Sequence, residues 1–134
     1  MILQSINLHD YRNFPLFLAD FSPEINIFVG PNGSGKTNIL ESISLLCPGK
    51  GLKHSKYDEI CKQGTNLWKS NFTLESKLGT AQIDNYYNRD SRNRLIHYNG
   101  VKIASAELVN LLNIIWLTPQ MEGLFLDSAS NRRK

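Results

Sequence analysis

Apolar and polar residues alternate at the start of the chain, and this alternation predicts a β-strand. The apolar residues on one side of the pattern are Ile2, Ile6 and Leu8. Residues 16–21 predict the hairpin partner of this strand, after a turn through residues 10–13. A β-branched run over residues 24–29 stops at a glycine, and it predicts a further short strand.

A helix is predicted from Lys36 to about Cys47, because apolar residues recur there at intervals of three and four. These residues are Ile39, Leu40, Ile43 and Leu46. The Pro48-Gly49 pair ends the helix. The polar, basic stretch over residues 50–64 then predicts a loop with a short helix near Asp58.

The β pattern returns between residues 67 and 103, where it predicts three or four strands. Asn99-Gly100 lies between two of them and is a strong signal for a two-residue hairpin turn. Ser105 is a candidate cap for a helix with apolar residues at 108, 109, 111 and 112. Residues 113–118 predict another buried strand, which Pro119 ends.

Composition places the chain among globular domains. Its 134 residues are 41% hydrophobic and 20% charged, which is enough for a core and typical of one domain. The N-terminus lacks the pattern of a signal peptide, and no apolar stretch approaches the ~20 residues of a membrane span. Cys47 and Cys61 are too few for a disulfide scaffold, so we expect reduced thiols and a cytoplasmic protein.

The net charge of +3 is distributed unevenly along the chain. Residues 1–49 contain two basic and four acidic side chains, whereas residues 50–134 contain thirteen basic and eight acidic ones. This asymmetry is compatible with a nucleic-acid partner, although charge runs are often only solvated surface.

The strongest chemical signal is the glycine-rich segment over residues 30–37, which matches the phosphate-binding pattern G-x-x-x-x-G-K-T. It lies between a predicted strand and a predicted helix, as such a loop requires. Its glycines allow backbone N–H groups to surround a phosphate, and the helix N-terminus adds a partial positive charge. Lys36 would neutralise the β- and γ-phosphates, and the Thr37 hydroxyl would bind Mg²⁺.

Two other classes of phosphate-loop protein fit less well. GTPases need a downstream Asn-Lys-x-Asp segment that reads guanine, and the sequence has none. A small-molecule kinase needs basic lid residues, which Arg89, Arg92 and Arg94 could supply, but these arginines lie inside the β-rich stretch.

The segment LHDYRNF at residues 8–14, the loop GPNGSGKTN at 30–38 and the following Leu40-Glu41 resemble the N-terminus of SMC-type, ABC-like ATPases. Within that group the chain is most similar to the RecF family of bacterial DNA replication and repair proteins. Later stretches extend the likeness in order along the chain, and they are residues 54–60, Gly64, 99–100, 118–119 and 131–133. The resemblance implies an α/β fold of mixed α+β character. This would be lobe I of a phosphate-loop ABC-type ATPase, with a central sheet around the loop and its helix and an antiparallel β subdomain.

The resemblance also implies site residues. Arg12 corresponds to an arginine that reaches the nucleotide phosphates, and Gln120 falls where such enzymes place a glutamine that senses Mg²⁺ and the attacking water. The residues expected to bind ATP are Arg12, Gly30, Pro31, Asn32, Gly33, Ser34, Gly35, Lys36 and Thr37. Those expected at Mg²⁺ are Thr37 and Gln120, the second also being the candidate catalytic residue. Lys56 stands where the family more often has arginine, which puts its contact in question.

Parts of the family's ATPase machinery are missing from residues 1–134. Hydrolysis needs a second carboxylate after an apolar strand. Asp20 precedes the loop, and Asp127 is followed by Ser128 where a catalytic glutamate is expected. The Ser-Gly-Gly signature and D-loop segments are also absent from the sequence. We therefore expect the first lobe of a larger ATPase head, a truncated or fragmented chain that binds ATP without hydrolysing it alone.

By resemblance, the whole protein would act in the cytoplasm in DNA damage repair, replication and the SOS response. It would bind single-strand/double-strand DNA junctions as an ATP-dependent homodimer and help load RecA at gaps, with RecO and RecR as partners and no membrane association. Candidate DNA contacts are Lys50, Lys53, Lys56, Arg132, Arg133 and Lys134. The alternatives are the head of another SMC-like or OLD-like ATPase, a small-molecule kinase, or an interaction module without catalysis.

Overall fold

A computed structural model of the chain describes residues 1–119 and 121. One six-stranded antiparallel sheet, in the order β2-β1-β3-β4-β5-β6, is its main element. The strands are β1 Ile2–Tyr11, β2 Phe14–Asp20, β3 Leu67–Ser76, β4 Gly79–Asn88, β5 Asn93–Tyr98 and β6 Val101–Ile103. The helices are α1 Lys36–Ser44, α2 Tyr57–Ile60 and α3 Leu108–Leu111, the last preceded by a 3₁₀ turn over Ser105–Glu107.

Side-chain alternation divides the sheet into an apolar and a polar face, as the period-two pattern predicts. Ile6 lies opposite Phe72, which lies opposite Ile83, and all three are buried. The neighbouring row on the other face is polar, with Asn7, Asn71 and Asp84 side by side across three strands. A cavity of about 640 Å³ opens on this polar face.

The apolar face packs against the helices and the loops that connect them. Leu45 and Leu46 reach it from the end of α1, Ile60 from α2 and Leu108 from α3, and all four are buried. The loop that contains the phosphate-binding pattern is thereby held beside one end of the sheet through its helix. Cys47 and Cys61 are free thiols, and burial raises the pKa of both.

Several local predictions are confirmed. The first hairpin, the short helix near Asp58 and four strands between residues 67 and 103 are all present. The Asn99-Gly100 turn has positive φ at both residues, 49° and 81°, as a two-residue hairpin turn of the favoured type requires.

Two predicted strands are wrong. Residues 24–29 and 113–118 have no regular secondary structure and form no ladder with any of the described strands. Ile27 is 80% exposed and Ile115 is 93% exposed. An apolar run predicts a buried strand only when a partner strand lies beside it, and the six described strands pair among themselves.

The predicted helix after Ser105 is shorter than expected. Its single α-helical turn begins at Leu108, and the Glu107 side chain accepts a hydrogen bond from the Ala104 N–H at 2.9 Å. Leu108 is buried, whereas Val109 is exposed. No helix within residues 1–119 is long and apolar enough to cross a membrane.

Candidate nucleotide-binding site

The glycine-rich segment forms a loop that leads directly into α1. Gly33 and Gly35 have φ of 84° and 102°, conformations that residues with a Cβ rarely adopt. A Cβ on Gly35 would also collide with the ring of Phe14, so this position excludes larger residues for two independent reasons. Gly35 caps α1 at its N-terminus, where the unpaired N–H groups of the first turn are located.

Lys36 folds back over this loop. Its ammonium group donates hydrogen bonds to the carbonyl oxygens of Gly30 and Pro31 at 2.6 and 2.8 Å. These contacts keep the positive charge beside the loop, where a phosphate could replace the carbonyls as acceptor.

A cavity of about 260 Å³ opens at the start of α1. Its lining is Asn32, Gly33, Gly35, Lys36, Thr37 and Asn38. The lining fits a polyphosphate, because it combines a lysine, glycines with positive φ and the N-terminus of a nine-residue helix. Thr37 is exposed on this wall, so its hydroxyl is available to a Mg²⁺ ion that a bound phosphate also coordinates.

The turn between β1 and β2 packs against the loop from the other side. The Asn13 side chain donates to the Ser34 carbonyl at 3.3 Å and accepts from the Asn38 side chain at 2.8 Å. Together with the close approach of Phe14 to Gly35, these contacts join the first hairpin to the phosphate loop.

Arg12, at the tip of that turn, points toward Glu41 of α1. Its Nε donates to one carboxylate oxygen at 2.9 Å and its Nη2 to the other, so the contact is bidentate. Further hydrogen bonds run to the Glu59 carbonyl at 2.9 Å and to the Ser55 hydroxyl at 2.7 Å. A role for Arg12 at the nucleotide phosphates therefore stays a prediction, and four of its N–H groups already have protein partners.

Glu41 was not predicted as a functional residue. Its side chain is fully buried, although the helical pattern suggested that Leu40 would be on an inner face, and Leu40 is 49% exposed. The hydrogen bond with Glu41 raises the pKa of Arg12 above its already high ordinary value. The sequence signal that could have revealed the pair of Glu41 and Arg12 is an acidic residue next to apolar positions of a predicted helix, with an arginine upstream in the chain.

Lys53 belongs to the same cluster. Its ammonium group lies 3.6 Å from a Glu41 oxygen and donates to the Asn38 side chain at 2.6 Å. It is also a candidate DNA contact, and that role stays a prediction; the residue is exposed, and its two partners lie in the helix that follows the phosphate loop. Its alkyl chain brings the charge back to a buried carboxylate, which attracts it more strongly than water-exposed partners would.

The other two predicted DNA contacts within the described residues are surface lysines. Lys56 precedes α2 and is exposed, and its backbone N–H donates to the Glu59 carboxylate at 3.1 Å. Lys50 is also exposed. Gln120, Asp127, Ser128 and the basic residues 132–134 lie outside the described residues.

Two of the three arginines considered for a kinase lid have structural partners. Arg94 donates to the Leu45 carbonyl at the end of α1 and to the Asn85 side chain, and it lies over the Tyr57 ring. Arg89 donates to the Asp58 carbonyl at 2.9 Å. These contacts fasten α1 and α2 to the sheet, which argues against a mobile lid.

Comparison with known proteins gives a consistent picture. Residues 1–120 match the family described as AAA ATPase domain. The DNA replication and repair proteins RecF of Rickettsia prowazekii and Rickettsia typhi are each 46% identical over 134 residues, all of this chain and 37% of theirs. The chain thus spans 37% of the length of these curated relatives.

Two solved structures have similar folds. One, described as the recombination mediator protein RecF-ATP in the RecFOR pathway, has a TM-score of 0.84 at 25% identity, over 98% of this chain and 36% of that one. An SMC head domain from Thermotoga maritima has a TM-score of 0.70 at 22% identity, over 84% and 43%. The predicted class, a phosphate-loop ATPase lobe with an antiparallel β part, is confirmed.

Proposed function

The chain belongs to the AAA ATPase domain family, and on that basis we propose that it is the ATP-binding N-terminal lobe of a RecF-like DNA repair and replication protein. The likeness to curated RecF proteins over the whole chain supports a RecF-like protein among the members of this family. The similarity to the SMC head domain supports the fold alone.

The observation that carries the proposal is the geometry of the phosphate loop. Gly33 and Gly35 have the positive φ that such a loop needs, and a cavity beside them is lined by Lys36 and Thr37. Backbone N–H groups and a lysine at a helix N-terminus stabilise phosphate oxygens strongly, because several donors converge on one anion.

In this proposal each residue has one task. The loop backbone from Gly30 to Gly35 surrounds the phosphates, and Lys36 exchanges its carbonyl partners for phosphate oxygens. Thr37, in the lining of the cavity, would supply a hydroxyl ligand if Mg²⁺ accompanies the nucleotide. Mg²⁺ supplies charge neutralisation there, and the protein residues supply position.

The wider function is proposed by analogy with the relatives. They are named as DNA replication and repair proteins, and the solved neighbour as a recombination mediator of the RecFOR pathway. We propose for the whole protein a cytoplasmic role at single-strand/double-strand DNA junctions, as an ATP-dependent dimer with RecO and RecR that assists RecA. Lys50 and Lys56 remain proposed DNA contacts, whereas the internal partners of Lys53 favour a role at the nucleotide site.

Thermal unfolding with and without Mg-ATP tests nucleotide binding. Mg-ATP should raise the melting temperature, because a ligand that binds only the folded state stabilises it. Lys36→Ala should abolish the shift, whereas Lys77→Ala, in the exposed turn between β3 and β4, should retain it. The absence of a shift in the parent chain at millimolar Mg-ATP would contradict the proposal.

A further inference from the structure

Glu41 occupies an unusual position for an acidic residue. Its side chain is fully buried in the first helix after the phosphate loop, and burying a carboxylate is costly unless cations compensate for it. Two cations do so: Arg12 makes a bidentate contact, and the Lys53 ammonium lies 3.6 Å away. Buried charge of this kind is weak evidence for stability, so its position calls for another reason.

Arg12, the first of the two cations at Glu41, lies in a strained turn. Asp10 and Arg12 have φ of 50° and 55°, in the left-handed region that residues with a Cβ rarely occupy. The turn stays in this conformation because it is fixed at several points. The Arg12 N–H donates to the Ile60 carbonyl at 2.7 Å, and the Lys62 N–H donates to the Asp10 carbonyl at 2.8 Å. Strain that is maintained in this way is frequently found at functional sites.

Lys53, the second cation at Glu41, is linked to the phosphate loop by a chain of hydrogen bonds. Lys53 donates to the Asn38 side chain at 2.6 Å, and Asn38 donates to Asn13 at 2.8 Å. Asn13 in turn donates to the Ser34 carbonyl of the phosphate loop at 3.3 Å. The contacts of Arg12 and those of Lys53 therefore start at the same Glu41 carboxylate and meet again at the adjacent residues Arg12 and Asn13. Asn13, together with Phe14, lies next to Gly35.

We propose that Glu41 is a positioning residue for the nucleotide site: it holds Arg12 and Lys53 so that the turn at Arg12-Asn13 presses against the phosphate loop. This inference rests on the proposed function, because it assigns a task within the same site. Glu41 does not touch the nucleotide. It acts through Arg12, through Lys53 and Asn38, and finally through the contacts of Asn13 and Phe14 with Ser34 and Gly35.

The direction in which Glu41→Gln changes the affinity for Mg-ATP separates a positioning role of Glu41 from a purely electrostatic one. An acidic residue close to a triphosphate repels it, so by charge alone Glu41→Gln should tighten Mg-ATP binding. If Glu41 positions the turn, the same variant should weaken binding, because the bidentate contact needs both carboxylate oxygens as acceptors. We expect about a tenfold loss of affinity, the lower end of what outer positioning residues contribute elsewhere.

The test is a double-mutant cycle on Mg-ATP affinity, measured by calorimetry at a temperature where circular dichroism shows every variant folded. The cycle uses Glu41→Gln, Arg12→Lys and the double variant. Arg12→Lys keeps the charge but loses the two-point contact, so it should also cost about tenfold. Because both residues act in one unit, the double variant should be no more than about tenfold weaker than the parent. Asp84→Asn, a carboxylate on the opposite sheet face that accepts from Asn71, is the matched control and should leave affinity unchanged.

Four outcomes would overturn the inference. Unchanged or tighter binding by Glu41→Gln would do so, as would a loss in the double variant equal to the product of the single losses. If Glu41→Gln does not fold, Arg12→Lys alone decides, and binding equal to that of the parent would refute positioning by the bidentate contact. If the parent itself shows no binding that depends on Lys36, the proposed function fails and this inference fails with it, which the Lys36→Ala measurement distinguishes from the other cases.

Discussion

The sheet and two segments outside it, residues 24–29 and 113–118, consist of the same kinds of residue in very different environments. Ile83 in β4 is fully buried between partner strands, whereas Ile27 is 80% exposed and Ile115 is 93% exposed. All three follow apolar patterns that predict strands. Within the described residues, only the segment with partners on both sides became a strand.

This difference shows that apolar character does not create a strand without hydrogen-bond partners. Every backbone N–H and C=O removed from water needs a partner, and in a sheet the partner lies on a neighbouring strand. The sheet satisfies this need with four hairpins, which pair strands close in sequence, and with one long-range pairing, that of β1 with β3. The phosphate loop lies between an unpaired segment and a packed helix, so it is attached to the sheet through that helix and through the turn at Arg12-Asn13.

Ile83→Ala should cause the largest loss of stability, and it tests how much the packed sheet contributes. Removing three carbons from a fully buried position leaves a cavity, and such changes cost about 2–5 kcal/mol of the free energy of unfolding. Urea denaturation followed by circular dichroism measures this. A loss below about 1 kcal/mol would show that the sheet core is not the main source of stability.

Asn99→Ala tests how far the sheet depends on local turn geometry. Asn99 has φ of 49°, and its side chain accepts a hydrogen bond from the Gln82 N–H at 2.7 Å. We expect a loss of about 1–2 kcal/mol, because alanine has neither the acceptor nor the tolerance for positive φ. Asn99→Gly should lose less, since glycine relieves the backbone strain. Equal losses in the two variants would show that φ at this turn is unimportant.

Tyr11→Phe tests how the buried end of the sheet responds to pH. Burial raises the pKa of Tyr11 well above its ordinary value, and its hydroxyl has no hydrogen-bond partner among the described residues. The folded protein therefore retains a proton that the unfolded chain loses above pH ~10. Stability should fall there by up to about 1.4 kcal/mol per pH unit for this group.

Denaturation at pH 7 and pH 11 measures the effect. Tyr11→Phe should match the parent at pH 7 and lose less stability at pH 11. Some alkaline loss should remain, because burial also raises the pKa of Tyr87. An identical pH dependence in the parent and Tyr11→Phe would contradict this account.

Ile27→Ala and Ile115→Ala should have the smallest effects. Both side chains are already exposed to solvent, so truncation removes little buried area and should change stability by less than about 0.5 kcal/mol. The same substitution at Ile83 serves as the comparison. A loss above about 1.5 kcal/mol at either site would show that these two segments are packed in solution.

The sequence was most informative where structure is decided locally. The Asn99-Gly100 turn, the glycines of the phosphate loop and the start of the following helix all depend on residues within a few positions of one another. Long-range partners could not be read in this way. The failure at 24–29 and 113–118 follows from pairing that sequence patterns do not specify.

The sequence predicted the phosphate loop of the candidate site, but it did not predict the residues that hold the neighbouring turn in place. Lys36 and Thr37 follow from one motif, and the cavity has them in its lining. Glu41 was missed because its partner Arg12 lies 29 residues earlier, and because helical periodicity favoured Leu40 for burial. The contact between Lys53 and Glu41 was missed for the same reason, since the sequence does not show that this carboxylate is buried beside the lysine.

The central claim is that the phosphate loop binds the phosphates of ATP. A titration of the isotope-labelled chain with Mg-ATP, followed by amide resonances in NMR, tests it most directly. We predict that the amide signals of Gly33, Gly35, Lys36 and Thr37 shift together and saturate, while those of Phe72 and Ile83 in the sheet stay in place. The contrary result would be no shift at the loop amides, or shifts centred on the sheet.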